Sequence, residues 1–414
     1  MIARAIDRIA TRALTALLDR LEDVPLRIAL WDGRALGARA ETALAVVRLA
    51  DRGALLRLLY DPELEFGELY REGRLHVEGD LVGLLRALFR KHEQYGIAAK
   101  ILPRRLLWGV SRNDVRAARA NAHHHYDVGN DFYQLWLDER MVYTCAYFPQ
   151  PEVGLEEAQH AKLDHVCRKL ALRPGEDVIE AGCGWGALAL HMARWYGVRV
   201  RAWNVSREQV AFAREQAEKQ GLQDRVEFIE DDYRNVSGRC DAFVSVGMLE
   251  HVGKAHYPEL RRVIDRCLAP DGRGLIHTIG RTRAGRLARW IERRIFPNAY
   301  PPTLGEMMQI FEPDFAVLDV ENLRRHYALT LSHWLARLEA HRARATELVG
   351  PENARTFALY LAGSIAAYEA GSLELFQVLF TRIANARFPW TRARLYGGGA
   401  DGFGDAAVGA DGAL

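Results

Sequence analysis

Between Asp177 and Gly186 the chain runs from a short apolar stretch into an acidic residue, Glu180, and then into glycines at three alternate positions, Gly182, Gly184 and Gly186. Glycines so placed let the backbone bend sharply and let a ligand lie close against it. Ala187 to Arg194 have helical composition, so unpaired N–H groups and the positive end of a helix dipole would face whatever the turn holds. A strand, a glycine turn and a helix form a nucleotide-type cofactor cradle at the carboxyl end of a parallel strand. The spacing departs from G-x-G-x-x-G, which seats a pyrophosphate on a helix end. For the motif alone, a tight strand-to-helix turn holding no ligand is the alternative. Other residues of reactive type are ambiguous singly. His277 reads as a satisfied core histidine, Cys145 as a small buried hydrophobe, Glu250 as a helix-start carboxylate and Tyr327 as a packing aromatic.

The elements that would position these residues alternate. Helix 156–170 precedes the strand at Val178. It is followed by helix 187–196, strand 199–203, helix 207–221, strands 226–230 and 242–246, helix 257–267 and strand 274–278. Alternation of this kind predicts a doubly wound parallel sheet with its ligand over the carboxyl ends of the strands. Glu180, Asn204, Asp232 and Glu250 lie at or just past those ends. Residues 26–100 predict a smaller α+β domain, with strands at 26–30 and 42–49, helix and turn over 61–88, and a break at Glu78-Gly79-Asp80. Residues 1–22 predict an amphipathic helix with Ile2, Ile6, Ile9, Ala13 and Leu17 on one face, either packed on its own domain or touching a membrane. This divides the chain into an N-terminal domain (1–100), a basic linker (101–122), an α/β domain that would hold the ligand (123–392) and a tail (397–414) whose Gly, Ala and Asp content predicts disorder.

The 414 residues are 49% hydrophobic and 27% charged, enough for two or three packed domains. A net charge of +2 argues against a nucleic-acid partner. Five widely spaced cysteines without a C-x-x-C pair argue against a disulfide framework or a zinc knuckle and fit a reducing cytosol. No run of 18 apolar residues is present, and residues 1–21 lack the apolar centre of a secretory signal.

The pattern E-x-G-x-G-x-G resembles the first motif of class I S-adenosylmethionine methyltransferases. Four more segments extend the likeness. One is His125-Tyr126-Asp127-Val128-Gly129-Asn130-Asp131-Phe132-Tyr133 with Met141 to Phe148, and another is Ser245 to Gly253. The remaining two are His277-Thr278-Ile279-Gly280 with Ile295-Phe296-Pro297-Asn298, and His326 to Leu331 running into His333-Trp334. Together they resemble the cyclopropane-fatty-acyl-phospholipid synthases, in the broader family of the mycolic acid cyclopropane synthases, over about residues 120 to 388. Phe66-Gly67-Glu68, Gly73 and Gly79-Asp80-Leu81 are similar to the N-terminal lipid-associated domain of the phospholipid enzymes, which the mycolate enzymes lack.

The resemblance implies an α/β fold, a Rossmann-like class I methyltransferase sheet with a smaller α+β N-terminal domain. It also implies a reaction in which an alkene carbon attacks the cofactor's sulfonium methyl. The resulting carbocation loses a proton from the new methyl, and the ring closes. Such chemistry needs alignment of methyl and alkene, exclusion of water, and a base. By resemblance, Cys145, Glu250, His277 and Tyr327, helped by the backbone of Ile279, hold a bicarbonate ion as that base. Its O–H would donate to Glu250, while His277 and Tyr327 donate to its other oxygens. For S-adenosylmethionine, Gly182, Gly184 and Gly186 line the turn, Tyr143 and Thr144 reach the methionine end, Asn204, Val205 and Gln209 take the ribose, and Asp232 and Tyr233 border the adenine. Asn204 departs from the family's usual threonine. Dense aromatics (Tyr126, Phe132, Tyr133, Trp136, Tyr143, Tyr147, Phe148) suit either packing or a wall for the acyl chain.

The implied substrate is an unsaturated phospholipid acyl chain, which places the protein in the cytoplasm, peripherally on the inner face of the membrane. Arg281 to Arg294, basic with Leu287, Trp290 and Ile291 interleaved, predicts an amphipathic helix that would meet an anionic surface, or else a helix packed on the core. The family suggests a homodimer through the N-terminal domain. Three rivals stay open: a methylene- or methyl-branched product from the same cation, a methyltransferase acting on nitrogen or oxygen of a small molecule, and a lipid-binding protein with a vestigial cofactor site.

Overall fold

The computed structural model describes residues 2–21, 23–95 and 129–396. The basic linker 101–122, the segment His125 to Val128 with Tyr126, and the tail 397–414 lie outside the described residues.

Two sheets organise the chain. The N-terminal sheet comprises β1 (Leu26–Ala29), β2 (Ala35–Gly37), β3 (Ala45–Leu49) and β4 (Leu75–Gly79), in the order β2-β1-β3-β4. Asp51 and Asp61 cap the helices Arg52–Tyr60 and Pro62–Glu72, accepting from the N–H groups of Ala54 and Leu64. Gly73 in the left-handed region (φ +73°) ends the second helix and turns the chain into β4. The sequence reads β4 as part of a helix and turn, because a five-residue edge strand with one buried position carries little alternation. The first helix, Ile2–Asp19, packs on this domain through Ala10, Leu14 and Leu18 and leaves Ile9 exposed. Its buried stripe therefore lies one position round from the expected Ile9, Ala13, Leu17 face.

The catalytic sheet has seven strands: β5 (Asp177–Ala181), β6 (Arg199–Asn204), β7 (Val226–Glu230), β8 (Cys240–Val246), β9 (Leu268–Gly280), β10 (Phe315–Asn322) and β11 (Glu374–Arg382). Their order is β10-β11-β9-β8-β5-β6-β7. The five from β5 to β9 are parallel, and β11 runs against both β9 and β10. The chain leaves β5 toward β6 and β7, then returns to its other side through β8 and β9. The switch point therefore falls at the carboxyl ends of β5 and β8, where a ligand belongs. Helices 187–196 and 257–267 and strand 226–230 have the bounds the sequence predicts.

The helices Arg324–Ala340 and Arg342–Ala370 pack together, the second broken at Gly350 (φ +79°) ahead of Pro351. Their inner faces close an aromatic core that contains Phe132, Tyr133, Trp136 and Phe148. Those four rings pack, while Tyr147 stacks between His165 and His326 at 4.3 and 4.9 Å. Tyr143 alone of the described aromatics in that expected set lines a chamber.

Arg281–Arg294 is not one helix. Only Arg289–Arg294 is helical. Its Trp290 is buried against the N-terminal domain, Arg289 and Arg294 pair with Asp61 and Glu68, and Arg286 pairs with Glu292. Arg289, Arg294 and Trp290, three of the residues expected to meet a membrane, are thus engaged in an interdomain contact.

Candidate active site

Two adjoining chambers open at the carboxyl end of the sheet. Tyr143, Thr144, Gly247, His251 and Phe296 line both and form the seam between them.

The first chamber is built on the glycine turn. Gly182 and Gly184 line it, with φ of +84° and +54°. A Cβ on Gly182 would lie 2.9 Å from Met248 Cβ, whereas one on Gly184 would meet nothing within 4 Å and would project into open space. That geometry is a cradle a side chain would fill. Gly186 serves differently. It caps the helix Ala187–Tyr196 at φ +87°, is not among the lining residues, and a Cβ there would lie 2.7 Å from Phe228 Cζ and 2.8 Å from Ala213 Cβ. Trp185 donates from Nε1 to Asn130 Oδ1 at 2.8 Å, which ties the turn to the Gly129–Tyr133 motif.

Asn204, Val205, Gln209, Asp232 and Tyr233 also line the first chamber. Asn204 Nδ2 donates to Gly184 O (3.1 Å) and Gln209 Oε1 (2.8 Å), so its amide braces the cradle. Gln209 Nε2 is left as a buried donor with no partner among the described residues. Asp232 is committed to Arg234, through Oδ2 to the guanidinium (2.9 Å) and Oδ1 to the backbone N–H (3.0 Å), which leaves lone pairs rather than a free carboxylate at the expected adenine edge. Glu180 Oε2 and Tyr233 Oη are likewise buried without a partner. Burial pushes the Glu180 carboxyl up to about 8. These orphaned donors and acceptors suit a ligand carrying an ammonium, ribose hydroxyls and a base, as S-adenosylmethionine does.

The second chamber brings together Cys145, Glu250, His277, Ile279 and Tyr327 from four separate parts of the chain. Glu250 stands on the short helix Leu249–Val252 just past β8. Its Oε1 accepts from the Ile279 N–H at 2.5 Å, and its Oε2 is buried without a partner. Burial raises this carboxyl to about 7. The Ile279 amide therefore fixes the carboxylate, where the resemblance implied that it helps hold the anion. His277 is on β9, and its Nδ1 lies 3.1 Å from Gln377 Nε2 of the neighbouring β11. With Gln377 donating, the proton resides on Nε2, which is buried and unpartnered. Burial holds His277 well below the usual histidine range, so it is neutral. The Cys145 thiol donates to Ala146 O at 3.1 Å and is pushed up by burial, so it is no thiolate nucleophile. Tyr368 Oη and Ser372 Oγ add two further buried unpartnered hydroxyls to this chamber.

Several of these residues escape a reading of the sequence. Gln159 Nε2 donates to Thr144 O (2.8 Å) and Lys162 Nζ to Thr144 Oγ1 (2.9 Å), both from the helix Leu155–Lys169, so they hold the strip that separates the chambers. Polar residues on a helix ordinarily read as its solvent face, so they carry no signal. Lys162 is buried, which lowers its ammonium to about 8. Gln377 does carry one, as a lone amide inside the apolar run of β11.

A parallel sheet with this glycine turn at its switch point defines an S-adenosylmethionine-dependent methyltransferase of class I. Coclaurine N-methyltransferase, 20% identical with a TM-score of 0.61 over 77% of this chain and 99% of its own, shares the fold. Residues 113–378 match the family described as mycolic acid cyclopropane synthetase, and residues 13–97 match a domain of unknown function. The chain belongs to the mycolic acid cyclopropane synthetase family. A probable fatty acid methyltransferase of Pseudomonas putida is 36% identical over 386 residues, covering 90% of this chain and 96% of its own. The cyclopropane-fatty-acyl-phospholipid synthase of Escherichia coli K12 is 40% identical over 259 residues, 62% of this chain and 66% of that one. The structure of the mycolic acid cyclopropane synthase CmaA1 of the same family, complexed with SAH and CTAB, is 29% identical with a TM-score of 0.61, covering 63% of this chain and 97% of that one.

Proposed function

We propose that this enzyme adds a methylene from S-adenosylmethionine across the cis double bond of unsaturated phospholipid acyl chains, forming a cyclopropane ring. One observation carries the reading: an apolar chamber holding a cluster of unpartnered polar atoms meets the cofactor cradle along one seam. When bound, S-adenosylmethionine supplies an electrophilic methyl and hydrogencarbonate a proton acceptor.

The chain's own residues do the rest. Gly184 leaves room for the cofactor, Gln209 Nε2 offers a donor to it, and Glu180 Oε2 offers an acceptor. In the second chamber His277 Nε2–H donates to an anion, and Glu250 Oε2 accepts the anion's own proton. A neutral histidine suits this role, because it donates without carrying a charge into a buried site. Tyr143, Phe296, Tyr327, Tyr360 and Tyr368 present aromatic rings to the chamber, which favour a developing cation and exclude the water that would trap it.

The acyl substrate, the bicarbonate and a peripheral position on the inner face of the membrane belong to this same reading. So does a homodimer. No helix among the described residues is long and apolar enough to cross a membrane, so a lipid chain must be drawn out of its bilayer. A second reading, a methyl- or methylene-branched fatty acid from the same cation, is favoured by the naming of the Pseudomonas putida relative. Incubating the purified protein with unsaturated phospholipid vesicles and methyl-labelled cofactor tests both. The expected result is label in the acyl chain with the mass of a ring. Label only on a headgroup nitrogen, or none in lipid, would overturn the proposal.

A further inference from the structure

The second chamber has a wall that the catalytic domain does not supply. Phe66, Leu85 and Phe89 line it together with Glu250 and His277. All three are half-buried and come from the N-terminal helices Pro62–Glu72 and Leu81–Tyr95. The wall is held rigidly. Gly67 lies so close on Trp290 that a Cβ would sit 2.5 Å from the indole. Arg294 donates to both oxygens of Glu68, at 2.8 and 2.6 Å, and Arg289 Nη1 donates to Asp61 at 2.7 Å. On the other side Arg355 Nε donates to Arg71 O at 2.7 Å and Arg86 Nη1 to Glu369 at 2.7 Å. The bidentate Arg294–Glu68 pair fixes orientation as well as contact. The family match begins at residue 113, and the domain carrying this wall matches one of unknown function.

We propose that the N-terminal domain is the gauge of the substrate chamber: Phe66, Leu85 and Phe89 set how many methylenes of the acyl chain fit on one side of the reacting double bond. The inference rests on the reading of the chamber as an acyl site. The alkene reacts only where it meets the seam beside Glu250 and His277, so the chain on one side of it must end or turn at this wall. A methylene too many clashes, and one too few leaves apolar surface unfilled. Each is worth about fourfold in selectivity, the transfer preference of one buried methylene.

The test gives the full-length protein vesicles containing equal amounts of palmitoleoyl, oleoyl and cis-vaccenoyl phosphatidylethanolamine, and reads the ratios of the three modified products. Phe89→Ala is expected to shift those ratios by about fourfold or more toward the isomer with the longer segment at the wall, and Phe89→Trp to shift them the opposite way. Cofactor affinity is expected to stay at the wild-type value in both, since Phe89 does not line the first chamber. Ratios that match wild type in variants that still bind cofactor and turn over would overturn the gauge. Should Phe89→Ala fail to fold, Phe89→Leu and Leu85→Met decide the matter by the same ratios. Wild-type protein that modifies none of the three lipids would sink the acyl reading itself, a result distinct from unchanged ratios in an active enzyme.

Discussion

Replacing Glu250 with glutamine separates what this residue costs the fold from what it gives the reaction. Its carboxyl ordinarily titrates at 4.5, and burial raises it to about 7. Below 4.5 the group is neutral in folded and unfolded chains, and its ionisation costs nothing. Between 4.5 and 7 the unfolded chain gives up the proton first, so stability falls as pH rises. Above 7 both states are ionised and the loss is constant. Each pH unit of that window is worth about 1.4 kcal/mol, so the wild type carries a penalty of about 3 kcal/mol by pH 8. Glutamine keeps the Oε1 acceptor that the Ile279 N–H uses and never ionises. The assay is urea unfolding of both proteins from pH 5 to pH 8. Every other titrating group is shared and cancels in the difference. Glu250→Gln is expected to gain on wild type by about 3 kcal/mol across that range, while kcat/KM falls about a hundredfold. A stability difference that does not vary with pH would refute the desolvation argument, and full activity in the variant would refute the anion-holding role.

Other substitutions divide the site by function. Gly184→Ala places its Cβ in open space, so it is expected to cost about 1–2 kcal/mol of stability from its positive φ and to weaken cofactor binding about tenfold or more by calorimetry. Gly186→Ala drives a Cβ into Phe228 and Ala213 and is expected to cost about 3 kcal/mol or more in unfolding experiments. In buffer freed of carbon dioxide the wild-type rate is expected to fall and to recover on adding hydrogencarbonate. His277→Ala, which removes the buried Nε2 donor, is expected to show no such recovery at unchanged cofactor KM. Arg294→Ala leaves Glu68 buried without its partner and is expected to destabilise the chain by about 3 kcal/mol, with Glu68→Gln restoring most of that in the double variant, again by urea unfolding.

The parallel half of the catalytic sheet is legible because short apolar runs, buried on both faces as in β5 and β8, alternate with helices that bury one face. Helix 187–196 follows a glycine turn and helix 257–267 has a clean apolar stripe, and both lie where expected. The sequence does not reveal β10, β11 or the long helix pair from Arg324 to Ala370. β11 is buried at eight of its nine positions and so lacks the polar face that marks a period, while β10 is an edge strand whose two buried positions give no alternation. The site residues themselves were legible only jointly, through motifs, since each is ordinary alone. What the motifs could not convey was which atoms are already spent. Ile279 gives its N–H to Glu250, Asp232 gives its oxygens to Arg234, and Asn204 braces the cradle. The arginines of 281–294 show the same limit, because a basic, tryptophan-bearing segment reads alike whether its partner is lipid or, as here, the acidic residues of a neighbouring domain.

The account depends on a cation formed in the second chamber losing a proton from the carbon it has just gained. Supplying cofactor whose transferred methyl is fully deuterated, with unsaturated phospholipid vesicles, and weighing the acyl product tests this directly. A saturated ring that has lost one deuteron is the expected outcome. A product that keeps every deuteron would show that the cation is quenched by reduction or by water, and that the residues around Glu250 and His277 do not hold a base.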